Sequence, residues 1–341
     1  MNSFPQKISL TLTNKCNLRC KMCGQWSDTG YMKTKQAIQQ IMQLDDWKKV
    51  IDEIAENSID WVLLRGGEVF LLDYILDLLK YIESKNITSF IDTNGTLLEK
   101  YAEELSKIKN LAITISIDGP ENIHDDVRGI SGTYAQIKKG VEKFKSYPGT
   151  DKPSMCFTIS QFNYKFLSKM PNIARELGVK SINIVPYYYF PKSVGEAYEK
   201  LMKEKFDTNA YSWIGFHHEK SGVVWDLFQE QLSQFQKNLN DIVNFPYMDF
   251  SPKDYKKWFA DADTQVGPVE CNNVENLIDI QPDGNANFCV DFPDYSFGNV
   301  KIENIAIIWN SEKAHKFREY RRKNLLPICY RCGAKYITAQ E

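Results

Sequence analysis

Hydrophobic and polar positions along this chain fall into two alternating rhythms. Short runs rich in β-branched and aliphatic residues predict six strands: ISLTLT (8–13), WVLLRG (61–66), SFIDTN (89–94), LAITISID (111–118), MCFTIS (155–160) and SINIVPYYY (181–189). Between them, apolar residues recur every three or four positions in DDWKKVIDEIAEN, DYILDLLKYIESK, EKYAEELSKIK, TYAQIKKGVEKFKSY and NYKFLSKMPNIAREL, the pattern of amphipathic helices. Strand-then-helix repetition implies right-handed crossovers and a parallel sheet. Six such units predict an α/β fold, a partial (β/α)6 TIM-like barrel short of the closed eight-strand form.

The rhythm breaks after residue 190. PKSVGEAYEKLMKEKF and VVWDLFQEQLSQFQKNLNDIV predict helices, with aromatic-rich loops, NAYSWIGFHHEK and NFPYMDFSPKDYKKWF, between and after them. After Pro268, LIDIQPDGNANFCVDF reads as two strands around a PDGN turn, and a helix over roughly residues 302–324 ends in REYRRKN. The division expected is a barrel at 1–190, a helical, aromatic-rich segment capping one barrel mouth at 191–265, and a small β-hairpin-plus-helix domain at 266–341. A domain of about 70 residues has little core of its own, and a metal site would supply what it lacks.

Composition narrows the classes. With 43% hydrophobic and 25% charged residues and a net charge of −2, the chain is an ordinary globular one and predicts neither a nucleic-acid nor an anionic-membrane partner. No apolar run approaches the roughly 18 residues of a membrane span. MNSFPQKISL has no secretory signal pattern, so the expected location is the cytoplasm. In that compartment eight cysteines are metal ligands or reactive thiols more readily than disulfides.

Three of these cysteines, Cys16, Cys20 and Cys23, lie in KCNLRCKMCGQW directly after the first strand, at the barrel face where this architecture places its chemistry. A zinc ion on three thiolates needs a fourth ligand or an open catalytic position. A [4Fe–4S] cube anchored by three thiolates keeps one iron open. C-x3-C-x2-C in this place resembles the radical S-adenosylmethionine (radical SAM) enzymes. RGGE (65–68) resembles their GGE motif, which implies that Gly66, Gly67 and Glu68 hold the methionine amino group; glycines without Cβ let backbone carbonyls approach an ammonium. SIDGPENIHDDVRG (116–129) is similar to their fourth-strand region, implying that Ser116 and Arg128 contact the ribose and carboxylate, with Thr158 and Ser160 as further polar contacts. The family often has an aromatic residue near adenine where this chain has Met22, which is soft and apolar enough to serve.

Cys271, Cys289, Cys329 and Cys332 form C-x12-G-x4-C followed by C-x2-C. This resembles the twitch form of the SPASM auxiliary-cluster domain and implies one auxiliary [4Fe–4S] cluster with four thiolates and no open iron. A zinc knuckle is the alternative on ligand type. Cys156, in the fifth strand, reads as an inert buried thiol. His217 and His218 read as solvent-facing loop residues, and Arg318, Arg321, Arg322 and Lys323 as a helix-end cluster facing the dipole, or as a docking patch for an acidic electron donor.

The resemblance implies S-adenosylmethionine as cofactor, a flavodoxin- or ferredoxin-type electron donor, and a 5′-deoxyadenosyl radical that takes a hydrogen atom from substrate. The auxiliary cluster would then accept an electron, a net oxidation needing a base. Sulfatase-maturating relatives carry an aspartate right after the cysteine matching Cys289. Here Val290 stands there and Asp291 follows, making Asp291 the candidate base. Because the first strand begins at residue 8, with no leader-binding domain before it, the expected substrate is a small polar metabolite such as a sugar or cyclitol. The alternative is a ribosomal peptide or protein maturase. A non-catalytic iron–sulfur carrier is the third reading, disfavoured by the intact Gly66–Gly67–Glu68.

Overall fold

The computed structural model describes residues 4–34, 42–150, 152–245, 248, 250–260, 262 and 264–336; residues 246, 247 and 249 of the expected aromatic loop and 337–341 of the expected C-terminal domain lie outside them. The six expected strands form in register with their neighbours: β1 (Lys7–Thr13), β2 (Trp61–Gly66), β3 (Thr88–Thr93), β4 (Leu111–Ser116), β5 (Ser154–Ile159) and β6 (Ser181–Pro186), each parallel to the next. A two-residue β7 (Val243–Asn244) extends the sheet beyond β6. Helices α1 (Leu44–Glu56), α2 (Ile75–Ser84), α3 (Leu98–Leu105), α4 (Glu121–Arg128), α5 (Thr133–Lys145) and α6 (Met170–Leu177) supply the crossovers.

The alternation along the strands explains the two faces. Val62, Leu64, Ile91, Ile113, Ile115, Met155, Phe157, Ile182 and Ile184 are buried in the core. Their neighbours Arg65, Phe90, Asp92, Thr114, Ser116, Cys156, Thr158 and Asn183 are half-buried or exposed. The second set is polar for a folded interior because it faces the concavity of the sheet rather than the helices.

The C-terminal segment is not a detached module. β8 (Leu277–Ile280) pairs in parallel with β1, from Lys7↔Leu277 to Leu10↔Ile280, and β9 (Asn285–Asn287) and β10 (Gly298–Asn299) continue antiparallel from it. The sheet therefore runs β10-β9-β8-β1-β2-β3-β4-β5-β6-β7. A parallel partner for β1 hides its otherwise open edge.

Beyond β6 come α7 (Lys192–Phe206), α8 (Trp225–Asn238) and α9 (Pro252–Ala260), and beside β8 the short α10 (Asn273–Asn276). The helix expected over 302–324 is two, α11 (Ile305–Trp309) and α12 (Glu312–Lys323). Ser311 breaks it: its backbone is extended and its hydroxyl accepts from the Ala314 amide, an N-cap that starts a second helix. No described helix is long and apolar enough to cross a membrane.

Candidate active site

The loop after β1 is held in shape from outside itself. Trp26 Nε1 donates to Asn14 O at 2.7 Å, closing the loop across Cys16–Cys23. The Arg19 and Lys21 amides donate to Arg128 O and Val127 O at 3.2 and 2.9 Å, fastening the loop to the last turn of α4. Leu18, buried at 2% exposure, is its apolar anchor. Cys16, Cys20 and Cys23 are thus close enough to act on one another's charge. Burial first, then the neighbouring thiols, pushes Cys23 up to about 12, and burial also raises Cys16 and Cys20. Thiols in such a setting become thiolates only where a metal centre takes the proton's place.

Gly66, Gly67 and Glu68 lie against the base of that loop. The Gly67 amide donates to Thr13 O at 2.6 Å and the Glu68 amide to Lys15 O at 2.8 Å. A Cβ on Gly67 would stand 2.1 Å from Lys15 O, so glycine is required here by backbone packing beside Cys16. The Glu68 carboxylate is fully buried and accepts from Thr93 Oγ1 (2.8 Å), the Asn94 amide (2.8 Å) and the Phe70 amide (3.2 Å). Burial raises its pKa and those bonds oppose the rise. Asn94 Nδ2 donates to Asn17 Oδ1 at 2.9 Å, so the β3 end and the cysteine loop share one network.

Arg128 closes the opposite side. Its Nη2 pairs with the buried Asp118 at 2.6 Å and its Nη1 donates toward Cys20 Sγ at 3.6 Å. Its Nε is buried without a hydrogen-bond partner, an orphaned cationic donor that fits a carboxylate. Ser116 ends β4, half-buried, opposite Cys156 in register. Met22 lies half-buried between Cys20 and Cys23. The Thr158 backbone amide donates to Asp118 at 3.2 Å, and Ser160 is fully buried against Asn163. Burial pushes Cys156 up to about 12, so it is a protonated thiol.

Two residues here escaped the sequence reading. Asp118 is the partner that holds Arg128, and His124, fully buried, accepts the Asp118 amide proton on Nδ1 at 3.1 Å; burial lowers its pKa to about 3, so it is neutral. The signal was present: Pro120 and Gly129 delimit a short helix with a basic last turn, just after an acid at a strand end.

In the C-terminal region Cys271, Cys289, Cys329 and Cys332 lie together, and burial first, then Cys329, Cys271 and Cys332, raises Cys289 far above its ordinary value. Arg318 and Arg321 are not a surface patch. Arg318 is 2% exposed, lies 3.9 Å over the Trp309 ring and donates to Val274 O and Trp309 O. Arg321 is 3% exposed beside the cysteines. Arg322 and Lys323 are exposed, and Arg322 pairs with Glu275 at 2.7 Å. Arg318 and Arg321 are buried because their long stems fill the space between α12 and the residues packed against it. His217 pairs with Glu219 at 3.0 Å and His218 lies edge-on to Tyr187.

The two cysteine regions meet over the sheet's concave face. Asp291 pairs with Arg65 at 3.0 Å. Next to it Phe292 packs on Tyr188, Phe190 and Phe216, with ring centroids 5.2–6.1 Å apart. Phe216, from the segment between α7 and α8, covers Gly24, where a Cβ would stand 2.2 Å from its ring. This aromatic cluster shields the region beside Cys23 from water.

Residues 10–161 match the family model of the Radical SAM superfamily, and residues 271–333 that of an iron–sulfur cluster-binding domain. The antilisterial bacteriocin subtilosin biosynthesis protein AlbA of Bacillus subtilis is 24% identical over 98% of this chain and 68% of its own length. The sporulation killing factor maturation protein SkfB of the same organism is 28% identical over 80% of this chain and 62% of its own, less than two thirds. Among solved structures, Streptococcus suis SuiB bound to S-adenosylmethionine covers 97% of this chain and 72% of SuiB at TM-score 0.64 and 15% identity. SuiB bound to its precursor peptide SuiA gives TM-score 0.64 at 16% identity. With its parallel α/β sheet and both cysteine regions in place, this chain belongs to the radical SAM superfamily of enzymes and carries a C-terminal SPASM iron–sulfur domain.

Proposed function

We propose that this enzyme is a maturase acting on a ribosomally made precursor peptide or protein, in place of the small metabolite expected from the position of the first strand. The observation that carries this reading is the extent of the match to AlbA, 98% of the chain, a protein named for bacteriocin biosynthesis. SkfB, named for maturation of a killing factor, supports it over 80%. The concave face is consistent with it too: Phe90 is 42% exposed and Asp92 is exposed beside it, leaving room for a side chain of a larger substrate.

In this reading Cys16, Cys20 and Cys23 would hold a [4Fe–4S] cluster. Gly66, Gly67 and Glu68 would receive the amino group of S-adenosylmethionine, Arg128 Nε its carboxylate, Ser116 its ribose and Met22 its adenine. Cys271, Cys289, Cys329 and Cys332 would hold the auxiliary cluster. When bound, these groups supply a radical that takes hydrogen from a substrate carbon. The chain's own contribution is to orient and to shield: Asp118 fixes Arg128, the Tyr188–Phe190–Phe216–Phe292 cluster excludes water, and Asp291, steadied by Arg65, accepts the substrate proton. A flavodoxin- or ferredoxin-type protein would supply electrons.

The test is anaerobic incubation of reconstituted enzyme with S-adenosylmethionine, dithionite and each short peptide encoded beside its gene. Mass spectrometry should find a peptide that has lost two hydrogens in step with 5′-deoxyadenosine. Peptides that stay unmodified while a sugar or cyclitol is oxidised would overturn the reading.

A further inference from the structure

The two cysteine regions differ in how their neighbouring cation is compensated. At the amino-terminal loop Arg128 is neutralised by Asp118 at 2.6 Å, and the carboxylate of Glu68 is close enough to act on both Cys16 and Arg128. At the carboxy-terminal set the cation is Arg321, in the last turns of α12. It is 3% exposed, its Nη1 donates to Asn324 O, and its Nη2 has no hydrogen-bond partner. Among the described residues no carboxylate pairs with it. Arg321 hydrogen-bonds to Cys271 and is close enough to act on Cys329 and Cys289 as well. A second buried cation, Lys335, donates to Val266 O at 2.9 Å and acts on Cys332, Cys329 and Cys271.

A buried guanidinium with no carboxylate counter-ion is expensive unless something anionic completes the site. A cube held by four thiolates is anionic, and each electron it takes adds one more negative charge. A fixed positive charge in a low-dielectric surrounding stabilises the reduced form more than the oxidised one, and net charge and hydrogen bonds to sulfur are the protein's main controls on such potentials.

We propose that Arg321, assisted by Lys335, is a positioning residue that raises the reduction potential of the cluster held by Cys271, Cys289, Cys329 and Cys332, making it the better electron acceptor of the two clusters. This rests on the four cysteines holding an iron–sulfur cluster and is independent of what the substrate is. The step it favours is uptake of one electron by the oxidised cluster, with no bond made or broken there.

The experiment uses the full chain with Cys16→Ala, Cys20→Ala and Cys23→Ala together, so that one cluster remains, titrated with dithionite and followed by electron paramagnetic resonance. Arg321→Gln should lower the equilibrium constant for reduction about tenfold, about 59 mV for one electron, and Arg321→Lys should shift it less. An unchanged midpoint in Arg321→Gln at full iron content overturns the proposal. If Arg321→Gln fails to hold iron, Lys335→Gln decides: a lowered midpoint supports the role, and an unchanged one, or iron lost there too, overturns it in favour of simple assembly. Absence of iron and sulfide in the triple-alanine parent overturns the cluster assignment itself, a result separable from any failure to modify a peptide.

Discussion

Arg65 Nη2 lies 3.0 Å from Asp291 Oδ1, across 226 residues of sequence. Arg65 stands one residue before Gly66 and Asp291 two after Cys289. One ion pair therefore joins the end of β2, beside the glycines proposed to hold the methionine group, to the segment after β9 that carries Cys289. The side chains are 28% and 27% exposed, so solvent screens the pair. Asp279 and Asp92 also act on Arg65 and keep it charged whatever happens to Asp291.

Asp291→Asn should therefore cost less than about 1 kcal/mol of stability, seen as a small fall in Tm. If Asp291 is the base, product should fall about 100-fold while S-adenosylmethionine is still cleaved. Chromatography of 5′-deoxyadenosine and product from the same reactions separates the two effects. Product at the parent rate would remove Asp291 from the mechanism.

Gly67→Ala tests the packing under the cysteine loop. The new Cβ would meet Lys15 O at 2.1 Å, backbone against backbone, with no flexible side chain to give way. The overlap should cost about 1–3 kcal/mol and displace the residue preceding Cys16. Calorimetry should show S-adenosylmethionine binding lost, with iron bound by the four C-terminal cysteines retained. Binding at the parent affinity would show that the loop tolerates the shift.

Alanine at Cys16, Cys20 and Cys23 together should abolish 5′-deoxyadenosine formation. With a cube at each cysteine set, iron should fall from about eight to about four atoms per chain. Zinc in place of iron, or unchanged activity, would contradict the assignment of the loop.

What could be read from the sequence was local. The alternation in β2 to β6 and the spacing of Cys16, Cys20 and Cys23 depend on neighbours a few residues away, and such patterns survive in a linear string. The pairing of β1 with β8 does not, because parallel partners some 270 positions apart leave no turn between them. Arg321 looked like a solvent-facing helix end since its neighbours Arg322 and Lys323 are charged too. Only the packing of α12 against the cysteines shows which of the three is buried. The break at Ser311 stayed hidden because the polar–apolar pattern runs through it without interruption.

The seam between β1 and β8 holds a carboxyl whose titration should govern part of the pH dependence of stability. Asp279 is fully buried and accepts from Thr11 Oγ1 at 3.2 Å and from Gln281 Nε2. Burial pushes it up to about 6 from an ordinary value of 3.8. The folded protein thus holds this proton over a range where the unfolded chain has released it. Stability from this group is full below about pH 4 and is lost as the pH climbs through 6, by about 3 kcal/mol in all. Asp279→Asn cannot ionise, keeps one acceptor for Thr11, and lets Gln281 turn its amide to meet the new donor. Urea unfolding of parent and variant at matched pH should therefore show the variant gaining on the parent between pH 4 and pH 7. Curves that stay parallel across that range would mean that Arg65, which also acts on Asp279, already stabilises the charged carboxylate enough to cancel the effect of burial.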